Sequence, residues 1–147
     1  MSKAFCLLNH QLTQNQLTEL KKDFGVKEII NPSENLSKNW SQIPASKSLD
    51  MNLIQAVVRW LSSAQADDIL IVQGEFGSTF MIVDYALKNG LIPLYAVTKR
   101  VAQESVDGEL VHRQYVFEHV CFREYAYFSE AEKNIFDLCQ FSNTTLL

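Results

Sequence analysis

The chain has 147 residues, 47% of them apolar and 20% charged, which fits one globular domain over residues 1–147 and excludes a disordered chain or two domains of ordinary size. Its formal charge of −4 argues against a protein that coats duplex nucleic acid, because that needs a net basic surface, yet it leaves room for a small anionic ligand in a local basic pocket. No apolar run approaches the roughly 20 residues that span a bilayer, and the apolar part of the N-terminus is too short for a signal peptide, so a cytoplasmic address without a membrane partner is expected.

In chain order, Lys3 to Leu8 is apolar, as a central strand is, and Thr13 opens a segment with Leu17, Leu20 and Phe24 at helical spacing. Gly25 stops that helix, and Val26 to Ile30 reads as a second strand. The turn-rich stretch from Asn31 to Pro44, with Trp40 in it, reads as a long loop and a candidate for function. From Leu49 to Ala64, Leu53, Ile54, Val57, Val58 and Leu61 form the apolar face of a helix that leads through Asp67 and Asp68 into an apolar strand, Ile69 to Val72.

That strand breaks into Gln73-Gly74-Glu75-Phe76-Gly77-Ser78-Thr79 and resumes as a helical pattern from Phe80 to Asn89-Gly90. A glycine and hydroxyl loop between strand and helix offers backbone N–H groups to a phosphate. The loop lacks the Lys of a Walker A sequence and is not a full dinucleotide fingerprint. In the plainer reading Gly74 and Gly77 are turn residues, with Ser78 or Thr79 as the N-cap.

Leu91 to Val97 is a fourth strand, so the order βαβα predicts a Rossmann-like, mostly parallel sheet with helices on both faces. Two further strand-like segments flank Asp107-Gly108 and predict an antiparallel β-hairpin that closes the sheet. Ser129-Glu-Ala-Glu132 opens a last helix through Cys139. Cys6, Cys121 and Cys139 have no Cys-x-x-Cys spacing, and read as reduced, largely buried residues rather than disulfides or zinc ligands.

In such a sheet the strand order is commonly 2-1-3-4, with ligands bound where strands 1 and 3 part, at their carboxyl ends. Asn9-His10-Gln11 and the glycine loop then face one crevice. With Asp107 and Gly108 as the two turn residues, Arg100 pairs with Tyr115 and Thr98 with Phe117. Thr98, Arg100, Glu104, Arg113, Tyr115 and His119 then share one face, with Lys99, Gln103 and Glu118 on the other. Arg123 comes after His119 at even spacing and falls on the same face. Charged residues on most hairpins are simply a solvated face, but Thr98-Lys99-Arg100 sits at the ligand-bearing end of a parallel strand, and Arg with Tyr suits phosphate and base.

Leu8-Asn-His-Gln-Leu-Thr13 with Gln16, Gln73 to Thr79, Tyr95 to Arg100 with Glu104, and Phe117 to Tyr125 together resemble a small stand-alone type III CRISPR-associated protein of the Csx group, similar to CRISPR-associated Rossmann fold (CARF-like) ring nucleases. The resemblance implies a homodimer that binds a cyclic oligoadenylate messenger, commonly the four-membered ring, and cuts it to switch antiviral signalling off. It implies metal-independent attack of a ribose 2′-hydroxyl on the adjacent phosphate, with no cofactor. On that reading Gly74, Gly77, Ser78 and Thr79 hold phosphate, and Asn9 and Gln73 hydrogen-bond base or ribose. Thr98, Tyr115 and Arg123 add ligand contacts, and Lys99 and Arg100 stabilise phosphate charge. His10 is the first candidate for general acid or base and His119 the second, since imidazole titrates near neutral pH. Glu75 is the anomaly, because a carboxylate in a phosphate loop repels the ligand unless it faces away or meets an adenine amino group. A binding module with the same pocket and no turnover, and a nucleotide-binding domain that docks on a partner through its hairpin, are the alternatives.

Overall fold

The computed structural model describes residues 2–130. The expected helix through Cys139, and Cys139 itself, lie outside the described residues apart from the first two positions of that helix. The elements are β1 (Ser2–Leu7), α1 (Gln14–Asp23), β2 (Val26–Ile30), α2 (Glu34–Ser41), α3 (Met51–Trp60, extended by a 3-10 turn at Leu61–Ser63), β3 (Ile69–Val72), α4 (Phe76–Lys88), β4 (Ile92–Asp107) and β5 (Leu110–Glu124). The sheet order is β2-β1-β3-β4-β5, with the first four strands parallel and β5 antiparallel to β4. This is the Rossmann-like order expected, with the hairpin at one edge.

Alternation along the strands feeds two cores. Phe5, Leu7, Leu70 and Val72 point to one face, where Leu36 and Trp40 of α2, Leu53, Ile54 and Val57 of α3 and Ile82 and Ala86 of α4 cover them. Ala4, Cys6, Ile69, Ile71 and Leu94 point to the other, where Leu20 of α1 and Phe122 of β5 pack. Strands buried on both faces read as continuous apolar runs because both sets of side chains leave water. Burial pushes the Cys6 thiol up to about 12, which keeps it protonated and unreactive.

Three expectations are corrected. The stretch 31–44 is not a long loop: Ser33 caps α2 through its side chain at Leu36 N, and Trp40 sits in the core at 1% exposure. The helix after β3 begins earlier than expected, with Glu75 rather than Ser78 or Thr79 as its N-cap. The hairpin pairs Asp107 with Leu110, which leaves Gly108 and Glu109 in the turn, Gly108 at φ +63°. Arg100 therefore faces Phe117, and Ala102 faces Tyr115. A shift of two residues preserves side-chain parity, so the expected face set survives although its pairs do not.

Beyond the body of the sheet the hairpin continues as a two-stranded arm. β3 pairs with β4 through Leu94, and from Thr98 to Glu118 every residue except Val101 is exposed.

Candidate functional site

The carboxyl ends of β1 and β3 are adjacent, since the N–H of Gln73 donates to the carbonyl of Leu7 at 3.2 Å. Both candidate loops start at this seam, but they open onto different cavities. Asn9, His10 and Gln11 line a cleft of about 850 Å³ whose opposite wall is Asn31, Glu34 and Lys38 at the end of β2 and the start of α2. Gln73, Gly74 and Thr79 line a smaller one of about 360 Å³, walled by Phe76, Phe80 and Tyr125.

On the β3 side most of the polar groups already have partners. Glu75 accepts from Gly77 N at 2.9 Å, from Ser78 N at 2.8 Å and from Ser78 Oγ at 2.7 Å. Those hydrogen bonds, led by the Ser78 hydroxyl, hold the Glu75 carboxyl below the usual glutamate range. The chain's own carboxylate thus takes the place expected for a phosphate. It satisfies helix-end donors as an N-cap does.

Gly74 lies against Trp40, where a Cβ would come within 2.7 Å of the indole nitrogen. That indole N–H donates to the Gln73 carbonyl at 3.0 Å, and the Gln73 side chain accepts from Ala96 N at 2.9 Å. Gln73 and Gly74 therefore tie β3 to α2 and β4. Thr79 Oγ1 is buried and has no hydrogen-bond partner among the described residues.

His119 is likewise held. Its Nε2 lies 2.7 Å from Glu19 Oε1, and a carboxylate only accepts, so Nε2 donates. Its Nδ1 lies 3.4 Å from the Gln16 amide nitrogen, whose amide oxygen accepts from Thr13 N at 3.0 Å. The other Glu19 oxygen accepts from Phe122 N at 2.7 Å. Both ring nitrogens are engaged, and His119 with Glu19 fastens β5 to α1. The signal for this strut lies in the capping box of Thr13 and Gln16, with Glu19 one helical turn beyond.

Arg123 is a further correction, because it is not on the face of His119. Pairing runs Thr98 with His119 and then Val97 with Cys121, so Val120 is an extra residue in β5. Such a bulge reverses the facing of the later β5 residues relative to β4. Arg123 joins Tyr95, donating to its hydroxyl at 3.3 Å, and Tyr125 on the same side donates to the Val72 carbonyl at 2.9 Å.

His10 contrasts with all of these. It is exposed, and its Nδ1 lies 2.8 Å from the Gln11 carbonyl. A carbonyl only accepts, so Nδ1 carries the hydrogen and the lone pair sits on Nε2, which has no hydrogen-bond partner among the described residues. The loop that bears it leads into the Thr13 cap of α1 and the turn that touches His119. Thr98 pairs with His119 at the root of the arm, and on the same face the Arg100 guanidinium stacks 3.7 Å above the Tyr115 ring centroid. Lys99 is on the opposite face, 3.9 Å from Glu118. Among the described residues no group of three His, Cys, Asp or Glu side chains is placed to hold a metal ion, and no helix is long and apolar enough to cross a membrane.

Comparison with known proteins adds kinship. The chain is 34% identical over 127 residues to the protein named Uncharacterized protein MJ1673 of Methanocaldococcus jannaschii, an alignment that covers 85% of this chain and 98% of that one. No solved structure matches it. Residues 2–123 match the family described as Uncharacterized protein MJ1673 family. That span takes in both loops, the arm and the His119 strut, and the chain belongs to this family.

Proposed function

We propose that this protein binds a cyclic oligoadenylate ring, the four-membered one first, at the carboxyl edge of its sheet and cleaves it without a metal, as a homodimer with the ring across the two-fold axis. One observation carries the catalytic part: the Nε2 of His10, which has no hydrogen-bond partner among the described residues, lines the 850 Å³ cleft with Asn9 and Gln11. The sequence segments that resemble CARF-like ring nucleases supply the substrate class. In the reaction a ribose 2′-hydroxyl gives its proton to His10 Nε2 as its oxygen bonds to the adjacent phosphorus. The bond from phosphorus to the 5′-oxygen breaks, and that oxygen takes a proton from solvent water, leaving a 2′,3′-cyclic phosphate. Of the two cations expected to stabilise phosphate charge, Lys99 points to the opposite face against Glu118 and drops out, and Arg100, on the face of Thr98 and His119, supplies the charge that favours the phosphorane-like state.

His119 is not a proton carrier in this scheme, and Gly77 and Ser78 are not phosphate donors while Glu75 caps them. That same engagement favours the second reading, a module that holds the ring without cutting it. The pure protein is incubated with labelled cyclic tetra- and hexa-adenylate in EDTA and the products are resolved. Linear products that His10→Ala no longer makes, with binding kept, are the expected result. An intact ring that stays bound selects the second reading, and a ring that neither binds nor breaks sinks both.

A further inference from the structure

We infer that Lys38 is a further ligand-binding residue of the His10 cleft, and that the cleft takes one adenosine nucleotide unit, its phosphodiester between Lys38 and His10 and its base against the apolar floor. The ligand class rests on the proposed ring reading; the residue is one that reading does not use.

Helix α2 carries two kinds of side chain on two faces. Leu36 and Trp40, four apart, are buried in the core, and the Trp40 bond to the Gln73 carbonyl at 3.0 Å holds the helix against the end of β3. Glu34, Ser37, Lys38 and Ser41 stand at the i, i+3, i+4 and i+7 spacing of a single helix face, and all four line the cleft. The polar face of a surface helix ordinarily looks into bulk water. Here it walls a cavity of about 850 Å³ that His10 also lines, a size within the range of small-ligand sites.

Charge and polarity select the occupant. Among the described residues Lys38 is the only Lys or Arg that lines the cleft, and Arg100 is not part of it. No ion pair among the described residues engages the Lys38 ammonium, not even with Glu34 one turn before it. A single ammonium facing an imidazole suits the single negative charge of a phosphodiester. Between these polar walls lie Leu8, Leu12, Leu17 and Ile29, a surface of no use to bare phosphate and suited to the flat face of a base. Asn31 on the α2 side offers a carboxamide, whose donor and acceptor match the amino group and ring nitrogen on the edge of adenine. Lys38 thus adds a cation inside the cleft to the one that Arg100 offers from the arm.

The test is the affinity of the full chain for cyclic tetra-adenylate and for the linear dinucleotide ApA, in EDTA over a series of salt concentrations. Lys38→Met keeps the aliphatic stem and removes the charge. It is expected to raise both dissociation constants about 10-fold or more, and to lower the slope of log affinity against log salt by about 0.7, the share of one phosphate contact on a single strand. Lys38→Arg is expected to stay within a few-fold of the parent and to keep its slope. Lys27→Met removes the same charge from an exposed lysine of β2 outside the cleft, and is expected to change neither quantity. Backbone amide shifts at 9–12 and 31–41 on adding ApA are expected to place the dinucleotide in the cleft. A merely structural role for Lys38 would weaken binding and leave the salt slope alone. Lys38→Met with the parent's affinity or slope overturns the inference, as does an equal loss in Lys27→Met. The two readings fail separately: a ring bound and cut by Lys38→Met as by the parent refutes only Lys38, and ApA held through Lys38 with the ring neither bound nor cut refutes only the ring. Binding of neither probe refutes both.

Discussion

The two sides of the carboxyl edge make opposite use of the same kinds of residue. On the β3 side, Gln73, Gly74, Glu75, Gly77 and Ser78 are drawn into the fabric of the domain through the Trp40 contact, the bond to Ala96 and the Glu75 cap. On the β1 side, Asn9, His10 and Gln11 edge an open cleft, and His10 Nε2 has no hydrogen-bond partner among the described residues. Groups that look alike in sequence thus divide into those that hold the fold and those left facing an open cleft. What separates them is whether another part of the chain has already supplied a partner.

The contrast between the two sides breaks first at Trp40, where the largest loss of stability is expected. Trp40→Ala removes a buried indole and its bond to Gln73, costing about 3–5 kcal/mol. Gly74→Ala, which drives a methyl into the same ring, costs about 1–3 kcal/mol. Urea unfolding checks both, and a near-neutral Gly74→Ala would return that glycine to the ligand. Next comes Glu19→Ala, which leaves the Phe122 N–H and the His119 ring without their acceptor. About 1–3 kcal/mol is expected from unmaking such bonds. Unchanged stability would free His119 for chemistry.

A smaller effect is expected at Glu75. Loss of the cap in Glu75→Ala lowers the thermal midpoint by about 2–4 °C at neutral pH. Because hydrogen bonds depress the native pKa of Glu75, its contribution is full above the ordinary glutamate value. It fades as pH falls below that value and through the lowered native one. Parent and variant should therefore differ at pH 7 and converge in strong acid. A gap that widened with acid would put the carboxyl in another environment. His10→Ala should move stability by less than about 0.5 kcal/mol, yet slow ring cleavage about 100-fold or more with binding kept. Normal cleavage by this variant would remove the distinction between the two sides.

Much of the frame is legible because local patterns and tertiary needs agree. Val26–Ile30 and Ile69–Val72 are strands as their apolar runs indicate, and Thr13 with Gln16 caps α1 as its spacing suggests. The segment around Trp40 misleads because Asn, Ser and Pro signal turns locally, while the helix they border is held by burying Leu36 and Trp40. The hairpin turn lies one position later than its Asp-Gly signal, and parity rescues the assignment of faces. Nothing local marks the extra residue at Val120, so even spacing puts Arg123 on the wrong face.

The sequence by itself determined the strand order, the helices on both faces and the adjacency of the carboxyl ends of β1 and β3, because these follow from apolar periodicity and the handed βαβ crossover, but not the shared crevice expected of the two loops, which open onto different cavities. It also marked the same short list of polar residues near the edge. Which of them are occupied was decided only in three dimensions. A carboxylate two residues before Gly77 fills the donors that a phosphate would want, and a glutamate a hundred positions before His119 takes its proton face. Hydrogen bonds of that kind depend on separation in space, which spacing along the chain does not report. Among the described residues, the fold leaves His10 Nε2 without a partner and the apolar side chains of the arm exposed.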